Sequence, residues 1–305
     1  MPKPKITTND AGPALPIEPG VDPTVTIARV QVERRVGWEQ WFLLTSDWHF
    51  DNKHCDRVKL GDHLKECADR GGYWCSFGDT FDCMGGKWDP RSGKEDLRPE
   101  YQRGDYLDAI VEDAAAFIAP HAHRGIVISD GNHETAIKRR HETDLTRRLV
   151  DFTNRDTGSK IRHGTYQGWV LLRLVDGSSG AGNGGRSTVR IRYHHGHGGG
   201  GEVTKGVIQA QRRATYLPDA DIVVSGHIHE VFHQEFTRER VTDQGDIRLD
   251  TQLHLSMSSY KDEYRGGGGY HVEKGRTPRP IGGWWVRLFW DGRAQRVVYD
   301  AVRAR

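Results

Sequence analysis

The sequence has no long apolar stretch. Runs such as residues 114–119 are far shorter than the roughly 18 residues that suggest a membrane span. The lysines near the N-terminus are not followed by an apolar segment, so no secretory signal is visible. We therefore expect a cytoplasmic protein without a membrane partner.

A large charge excess is also lacking, since the formal net charge of the 305 residues is +2. This value argues against a dedicated nucleic-acid coat, because such proteins bind phosphates through a strong basic excess. The chain contains 9 Trp, 10 Tyr and 9 Phe, enough bulky side chains for a real core. A disordered, highly charged tail protein is therefore excluded.

Cysteine is scarce and histidine is abundant. The four cysteines contain no Cys-x-x-Cys pair, so we expect small buried residues rather than a zinc site or a disulfide framework. The 16 histidines carry the side chain that is the commonest metal ligand and the usual proton carrier near neutral pH. The position of these histidines along the chain therefore bears most directly on function.

The order of apolar runs predicts an α/β fold. The proline-rich residues 1–23 predict a flexible tail, and residues 24–305 predict a single domain. Apolar strand candidates at 41–45, 73–77 and 125–129 alternate with helix candidates at 57–70 and 106–119, which predicts a largely parallel sheet. The later residues are rich in strand candidates and predict a second sheet packed against the first.

Five strand candidates end in polar clusters near positions 46, 78, 129, 194 and 225. Sites in open α/β sheets form outside the carboxyl ends of strands, so these clusters should converge. Mixed Asp, Asn and His donors suit Mn, Fe, Zn or Ni better than Ca. The donors exceed the four of a tetrahedral site and so predict two divalent ions: Asp47, His49, Asp79, Asn132, one of His194 and His195, His227 and His229.

The same residues form an ordered set of motifs. They read Asp47-Trp48-His49, Gly78-Asp79-Thr80-Phe81-Asp82, Gly131-Asn132-His133-Glu134, His194-His195 and Gly226-His227-Ile228-His229. This series resembles the calcineurin-like metallophosphoesterase superfamily. The resemblance implies a four-layer α/β/β/α sandwich of two mixed sheets, with the metal site at the carboxyl ends of the strands.

The resemblance also implies a ligand set and a reaction. One metal would bind Asp47, His49, Asp79 and His229, and the other would bind Asp79, Asn132, His227 and a histidine of the 194/195 pair. A hydroxide bridging the two metals would attack a phosphomonoester or phosphodiester, either a small molecule or a nucleic acid. His133 would not bind metal but would assist at the phosphoryl group or leaving oxygen.

Several alternatives stay open. Asp82 is expected to orient a metal ligand or to cap a turn. His194 matches branches in which the first histidine of a pair binds metal, whereas the following glycine favours His195. The arginines that grip phosphate in phosphoprotein phosphatases are missing from positions 83 and 130, which argues against a phosphoprotein substrate. A nuclease and a non-catalytic scaffold of the same fold are the alternatives, and the sequence does not specify an oligomeric state.

Overall fold

The computed structural model describes residues 14–83, 94–176, 188–198, 204, 206–241, 243–265, 270–273 and 275–305. One sheet has the spatial order β13 (Arg296–Ala304), β12 (Gly283–Asp291), β3 (Glu39–Thr45), β4 (Tyr73–Phe77), β5 (Gly125–Ser129) and β6 (Arg162–Gly164). The other has the order β1 (Ile17–Pro19), β2 (Val25–Val32), β7 (Gln167–Asp176), β8 (Thr188–His194), β9 (Ile222–Ser225), β11 (Ile247–Ser256) and β10 (Phe232–Val241). The α-helices are α1 (Arg57–Asp69), α2 (Tyr106–Ile118), α3 (Asn132–His141), α4 (Leu145–Thr157), α5 (Val207–Tyr216) and α6 (Tyr270–Glu273).

Strands β3 to β6 of the first sheet run parallel, so their carboxyl ends meet at one edge. All residues of β4 and β5 are buried, as expected for parallel strands covered on both faces. Both strands are short apolar runs, and each ends where the chain turns polar. This edge is where the polar motifs of the sequence emerge.

The two mixed sheets pack face to face. Phe77 and Leu44 of the first sheet share one apolar core with Tyr193, Leu255 and their neighbours in the second. A separate core lies between the first sheet and helices α1, α2 and α4. Helix α5 packs against the second sheet and forms the fourth layer in the described part of the chain. The predicted four-layer α/β/β/α sandwich is therefore confirmed.

The assignment of strands to sheets differs from the sequence expectation. The early strand β2 belongs to the second sheet, where it pairs with β7. The late strands β12 and β13 belong to the first sheet, because β12 pairs antiparallel with the free edge of β3. Chain order does not determine which edge a strand joins, since hydrogen-bonding partners are chosen only in the folded sheet.

The last residues of the predicted tail form part of the second sheet. Ile17–Pro19 pairs antiparallel with β2, and Leu15 is buried, so the ordered part of the chain begins before residue 24. Residues 1–13 of the predicted tail lie outside the described residues. No helix within the described ranges is long and apolar enough to cross a membrane.

Candidate metal centre

The polar residues after β3, β4 and β9 follow sharp turns of the backbone. Five of them adopt a left-handed conformation, with φ angles between 48° and 73°: Asp47, His49, Asp79, His227 and His229. Asp, Asn and His enter this region more readily than other non-glycine residues, and such strained conformations cluster at functional sites. The turns bring side chains from separate strands to one place.

Backbone hydrogen bonds hold two of these turns together beyond the sheet. The amides of Asp47, His49 and Phe50 donate to the carbonyls of Gly78, Asp79 and Thr80 at 2.9, 3.0 and 2.8 Å. The loops after β3 and β4 therefore remain paired after their strands end. This pairing places the first two motifs side by side.

One cluster of potential metal ligands contains the buried Asp47 and His49 and also His229, whose side chain is 12% exposed. Nε2 of His49 lies 3.2 Å from Nε2 of His229. Oδ1 of Asp47 also lies 3.2 Å from Nε2 of His229. Three donor atoms from β3 and β9 thus point at a common space.

A second cluster contains Asp79, His195 and His227. Oδ2 of Asp79 lies 3.0 Å from Nε2 of His195. Oδ1 of Asn132 lies 3.1 Å from that same nitrogen and 2.6 Å from Nδ1 of His227. Asn132 therefore adds an oxygen donor to the three other side chains.

The two clusters adjoin each other. Oδ1 of Asp47 lies 4.0 Å from Nε2 of His195. The backbone amide of His227 donates to both carboxylate oxygens of Asp47, at 3.2 and 3.1 Å. The structure groups Asp79 with the second cluster, so its role as a ligand shared by two metals is a proposal.

The structure separates the two adjacent histidines. Nδ1–H of His195 donates to the carbonyl of Phe77 at 2.9 Å, which leaves Nε2 facing Asp79. His194 lies outside both clusters, and its Nδ1 accepts from the Gly196 amide at 2.9 Å. The sequence carries a signal for this outcome: the buried Val189, Ile191 and Tyr193 alternate along β8, and His195 continues that inward face.

Two motif glycines allow the backbone to approach the ligands. A β-carbon at Gly226 would lie 2.3 Å from Oγ of Ser46 and 2.6 Å from Oδ2 of Asp47. A β-carbon at Gly131 would lie 2.1 Å from Oδ1 of Asp79. Any larger residue at these positions would displace a carboxylate of the clusters.

Asp82 contacts the two histidines on which the site depends. Its Oδ1 lies 2.8 Å from Nδ1 of His49. Its main-chain carbonyl accepts a hydrogen bond from Nδ1 of His133. The expectation that Asp82 orients a metal ligand agrees with this geometry, although metal ligation itself stays a proposal.

His133 lies beside the second cluster rather than within it. Its Nε2 is 3.7 Å from Oδ2 of Asp79, and its side chain is 12% exposed. Its backbone amide donates to Oδ1 of Asp79 at 3.0 Å. His133 also belongs to a third group of potential ligands, with His49 and Asp82, so its role at the phosphoryl group rather than on a metal is a proposal.

Two buried carboxylates near the site lie outside the predicted ligand set. Glu134 accepts hydrogen bonds from the amides of Gly131, Phe81 and Asp79 at 2.8, 2.8 and 3.2 Å. Its position at the third residue of α3 is the signal that could have identified it, because a glutamate there often caps the helix start. Asp51 accepts from the amides of Asp82 and Cys83 at 2.6 and 3.0 Å, and no motif predicts this contact.

Among known proteins, the matches to this chain are solved structures. No protein-family model and no curated protein sequence matches the chain. The Entamoeba histolytica Vps29 crystallised with zinc is 13% identical over 87% of this chain and 99% of its own, with a TM-score of 0.35. A predicted phosphoesterase from Streptococcus pneumoniae is 11% identical over 88% of this chain and 92% of its own, with a TM-score of 0.32. GAP50, the anchor in the inner membrane complex of Plasmodium, is 12% identical over 88% of this chain and 85% of its own, with a TM-score of 0.38.

The architecture itself decides the fold. Two mixed sheets pack face to face with helices outside, and the five motif blocks meet at one edge of the sandwich. This arrangement agrees with the four-layer sandwich that the motif resemblance implies. The two clusters lie at the edge formed by the carboxyl ends of β3, β4 and β5.

The buried Asp79 carboxylate attracts positive charge at this edge of the sandwich. Burial would raise the pKa of Asp79, but His195 and His133 outweigh it and hold the pKa well below its usual range. Burial would lower the pKa of His195, but Asp79 and Asp47 raise it to about 10. Burial and the charge of Asp79 raise the pKa of Glu134 to about 8.

The donor set fits divalent metal ions. Buried and half-buried carboxylate, amide and imidazole donors from five strand ends lie close together, and the two clusters contain no thiolate. Oxygen and nitrogen donors of this kind suit borderline first-row dications. This edge of the sandwich therefore carries residues that could hold divalent metals.

Proposed function

We propose that the protein is a metal-dependent phosphoesterase that binds two divalent ions and hydrolyses phosphomonoesters or phosphodiesters. The observation that carries this proposal is the adjoining pair of clusters, in which the ligand atoms Asp47 Oδ1 and His195 Nε2 lie 4.0 Å apart. Two metals held about 3.5–4 Å apart form a clamp for phosphoryl transfer. A single structural ion would not need two adjoining donor sets.

The residues divide between the ions by position. Asp47, His49 and His229 would hold one ion, and Asn132, His195 and His227 would hold the other. We assign the shared ligand position to Asp79. When bound, the ions would supply an activated hydroxide and neutralise charge on the phosphoryl oxygens.

The side chain of His133 would move the proton. Its Nδ1–H donates to the carbonyl of Asp82, which fixes the plane of the ring. In the imidazolium form, Nε2–H is the remaining donor, and it lies on the side of Asp79. We assign to it the stabilisation of the phosphoryl group and donation of a proton to the leaving oxygen.

Hydrolysis assays after chelation test this proposal. Mn, Fe, Zn or Ni is added back, and p-nitrophenyl phosphate, bis(p-nitrophenyl) phosphate and a DNA or RNA oligonucleotide are compared as substrates. Asp79→Asn and His133→Ala should each lower turnover by about 100-fold or more, because Asp79 would hold both ions and His133 would act on the phosphoryl group. His121→Asn, at a histidine outside the five motif blocks, serves as the control.

The opposing outcomes are distinct. Unchanged turnover in both Asp79→Asn and His133→Ala would refute the mechanism. Hydrolysis restricted to oligonucleotides would favour the nuclease alternative. Wild-type protein that binds no metal and hydrolyses none of these substrates would favour a scaffold.

A further inference from the structure

Lys261 places a positive charge behind the metal centre. It lies outside all five motif blocks, and its side chain is only 7% exposed. Its Nζ lies 2.9 Å from Oε1 of Glu263 and 3.7 Å from Oδ2 of Asp82. A buried ammonium costs several kcal/mol unless it is paired, so these carboxylates account for its position.

The backbone around Lys261 is attached to the same loop that carries the metal ligands. The amide of Tyr260 and the hydroxyl of Ser259 both donate to the carbonyl of Asp47, at 3.0 and 2.8 Å. The amide of Lys261 in turn donates to Oγ of Ser259 at 2.9 Å. The position of the ammonium is therefore tied to the position of Asp47.

Asp82 lies in acidic surroundings that need a cation. Its amide donates to the buried carboxylate of Asp51 at 2.6 Å, and Glu263 lies on the far side of Lys261. The amide nitrogen of Asn52 donates to Oδ2 of Asp82 at 2.6 Å, while Oδ1 faces His49. Among the described residues that contact Asp82, Lys261 is the positively charged side chain apart from the neighbouring histidines, and it balances the negative charge of the carboxylate.

We propose that Lys261 is a positioning residue for the metal centre. Its ammonium group holds the Asp82 carboxylate against Nδ1 of His49. A proton on Nδ1 of His49 directs its Nε2 lone pair toward Asp47 and His229. Partners of this kind fix the tautomer and orientation of ligating histidines, and their loss costs about 10- to 100-fold in metal affinity. The inference rests on the proposed metal site and not on phosphoester hydrolysis.

Two readouts test the role of Lys261. Nitrogen-15 spectra of the histidine rings in metal-free protein report the tautomer of His49, and calorimetric titration with Mn²⁺ reports affinity. Lys261→Met should increase the Nε2–H tautomer of His49 and weaken Mn²⁺ binding by about 10-fold or more. Lys261→Arg should retain the wild-type tautomer, because it retains the charge.

Matched variants separate positioning from simple stabilisation. Lys65→Met removes an exposed lysine paired with Asp69 and should change neither readout. Glu263→Gln removes the other partner of Lys261 and should change the His49 tautomer less than Lys261→Met. If Lys261→Met leaves both the tautomer and the Mn²⁺ affinity at wild-type values, the proposal is overturned.

A double-mutant cycle keeps the test decisive if Lys261→Met alone does not fold. Asp82→Asn is compared with the Asp82→Asn/Lys261→Met double variant, in which no unpaired Asp82 carboxylate remains. A lysine that acts through Asp82 should add no further change in the His49 tautomer. A full additional change in the double variant would contradict the proposal. Because the tautomer is read without metal, a wild-type protein that fails to bind Mn²⁺ would count against the proposed function alone.

Discussion

Gly131 and Asp79 pack so closely that a β-carbon at Gly131 would lie 2.1 Å from Oδ1 and 2.3 Å from the backbone nitrogen of Asp79. Gly131→Ala should therefore displace the carboxylate and reduce the free energy of unfolding by about 1–3 kcal/mol. Phosphoesterase activity should fall with it. Denaturant unfolding and hydrolysis assays check both effects.

The control for this prediction is Gly104→Ala. Nothing lies within 4 Å of a β-carbon at Gly104, so that variant should stay close to wild type in both measurements. Equal stability and activity of the two variants would show that the close approach at Gly131 has no consequence.

Alanine variants of the two adjacent histidines should differ in the number of metal ions that they bind. His195→Ala should lose one of two bound ions, because Nε2 of His195 lies 3.0 Å from Asp79 within the second cluster. His194→Ala should retain both ions, because His194 lies outside the clusters. Metal analysis of both purified variants measures the difference. The reverse pattern would assign the ligand to His194.

Metal binding should stabilise the fold, because the converging carboxylates and imidazoles exist only in the folded chain. An ion at 100 times its dissociation constant adds about 2.7 kcal/mol to the free energy of unfolding. Thermal unfolding of chelated protein, with and without added Mn²⁺, measures the shift. Asp47→Asn should reduce this shift. A melting temperature that changes neither on chelation nor on addition of Mn²⁺ would count against metal binding.

Acid should destabilise the protein through His254 on β11. Burial, together with the positive charges of Arg213 and Arg238, lowers the pKa of His254 to about 4. The unfolded chain, with a pKa near 6.5, binds the proton first, so the stability contribution is complete above about pH 6.5 and declines toward pH 4. From pH 7 to pH 5 the loss is about 2 kcal/mol.

His254→Asn removes this titrating group. The variant should lose less stability than wild type between pH 7 and pH 5, and urea unfolding at both pH values measures the difference. Parallel losses in the two proteins would show that other groups dominate acid sensitivity.

Local sequence predicted the elements that carry the motifs. The apolar runs of β3, β4 and β5 are bounded by polar residues, and the structure places these strands at 39–45, 73–77 and 125–129. Helices α1 and α2 begin and end within one residue of the predicted ranges. Side-chain periodicity and turn residues act over a few positions, so they are readable without the fold.

Contacts between distant segments were not readable in this way. The pairing of β12 with β3 joins residues of the C-terminal region to the start of the first sheet. The contact between Lys261 and Asp82 joins two segments with no shared motif. Such partners are selected by packing and charge in the assembled sandwich, and no short-range pattern records them.

The order of donors along the chain, from Asp47 to His229, was determined by sequence alone, as was their mixture of oxygen and nitrogen chemistry. The alternation along β8 favours His195 over His194, but only the tertiary structure decided that Nε2 of His195 faces Asp79 and that Lys261 lies beside Asp82. Residue identity is a local property and sets which atoms a side chain offers. The position at which those atoms meet depends on the stacking of two sheets, which is a property of the whole fold.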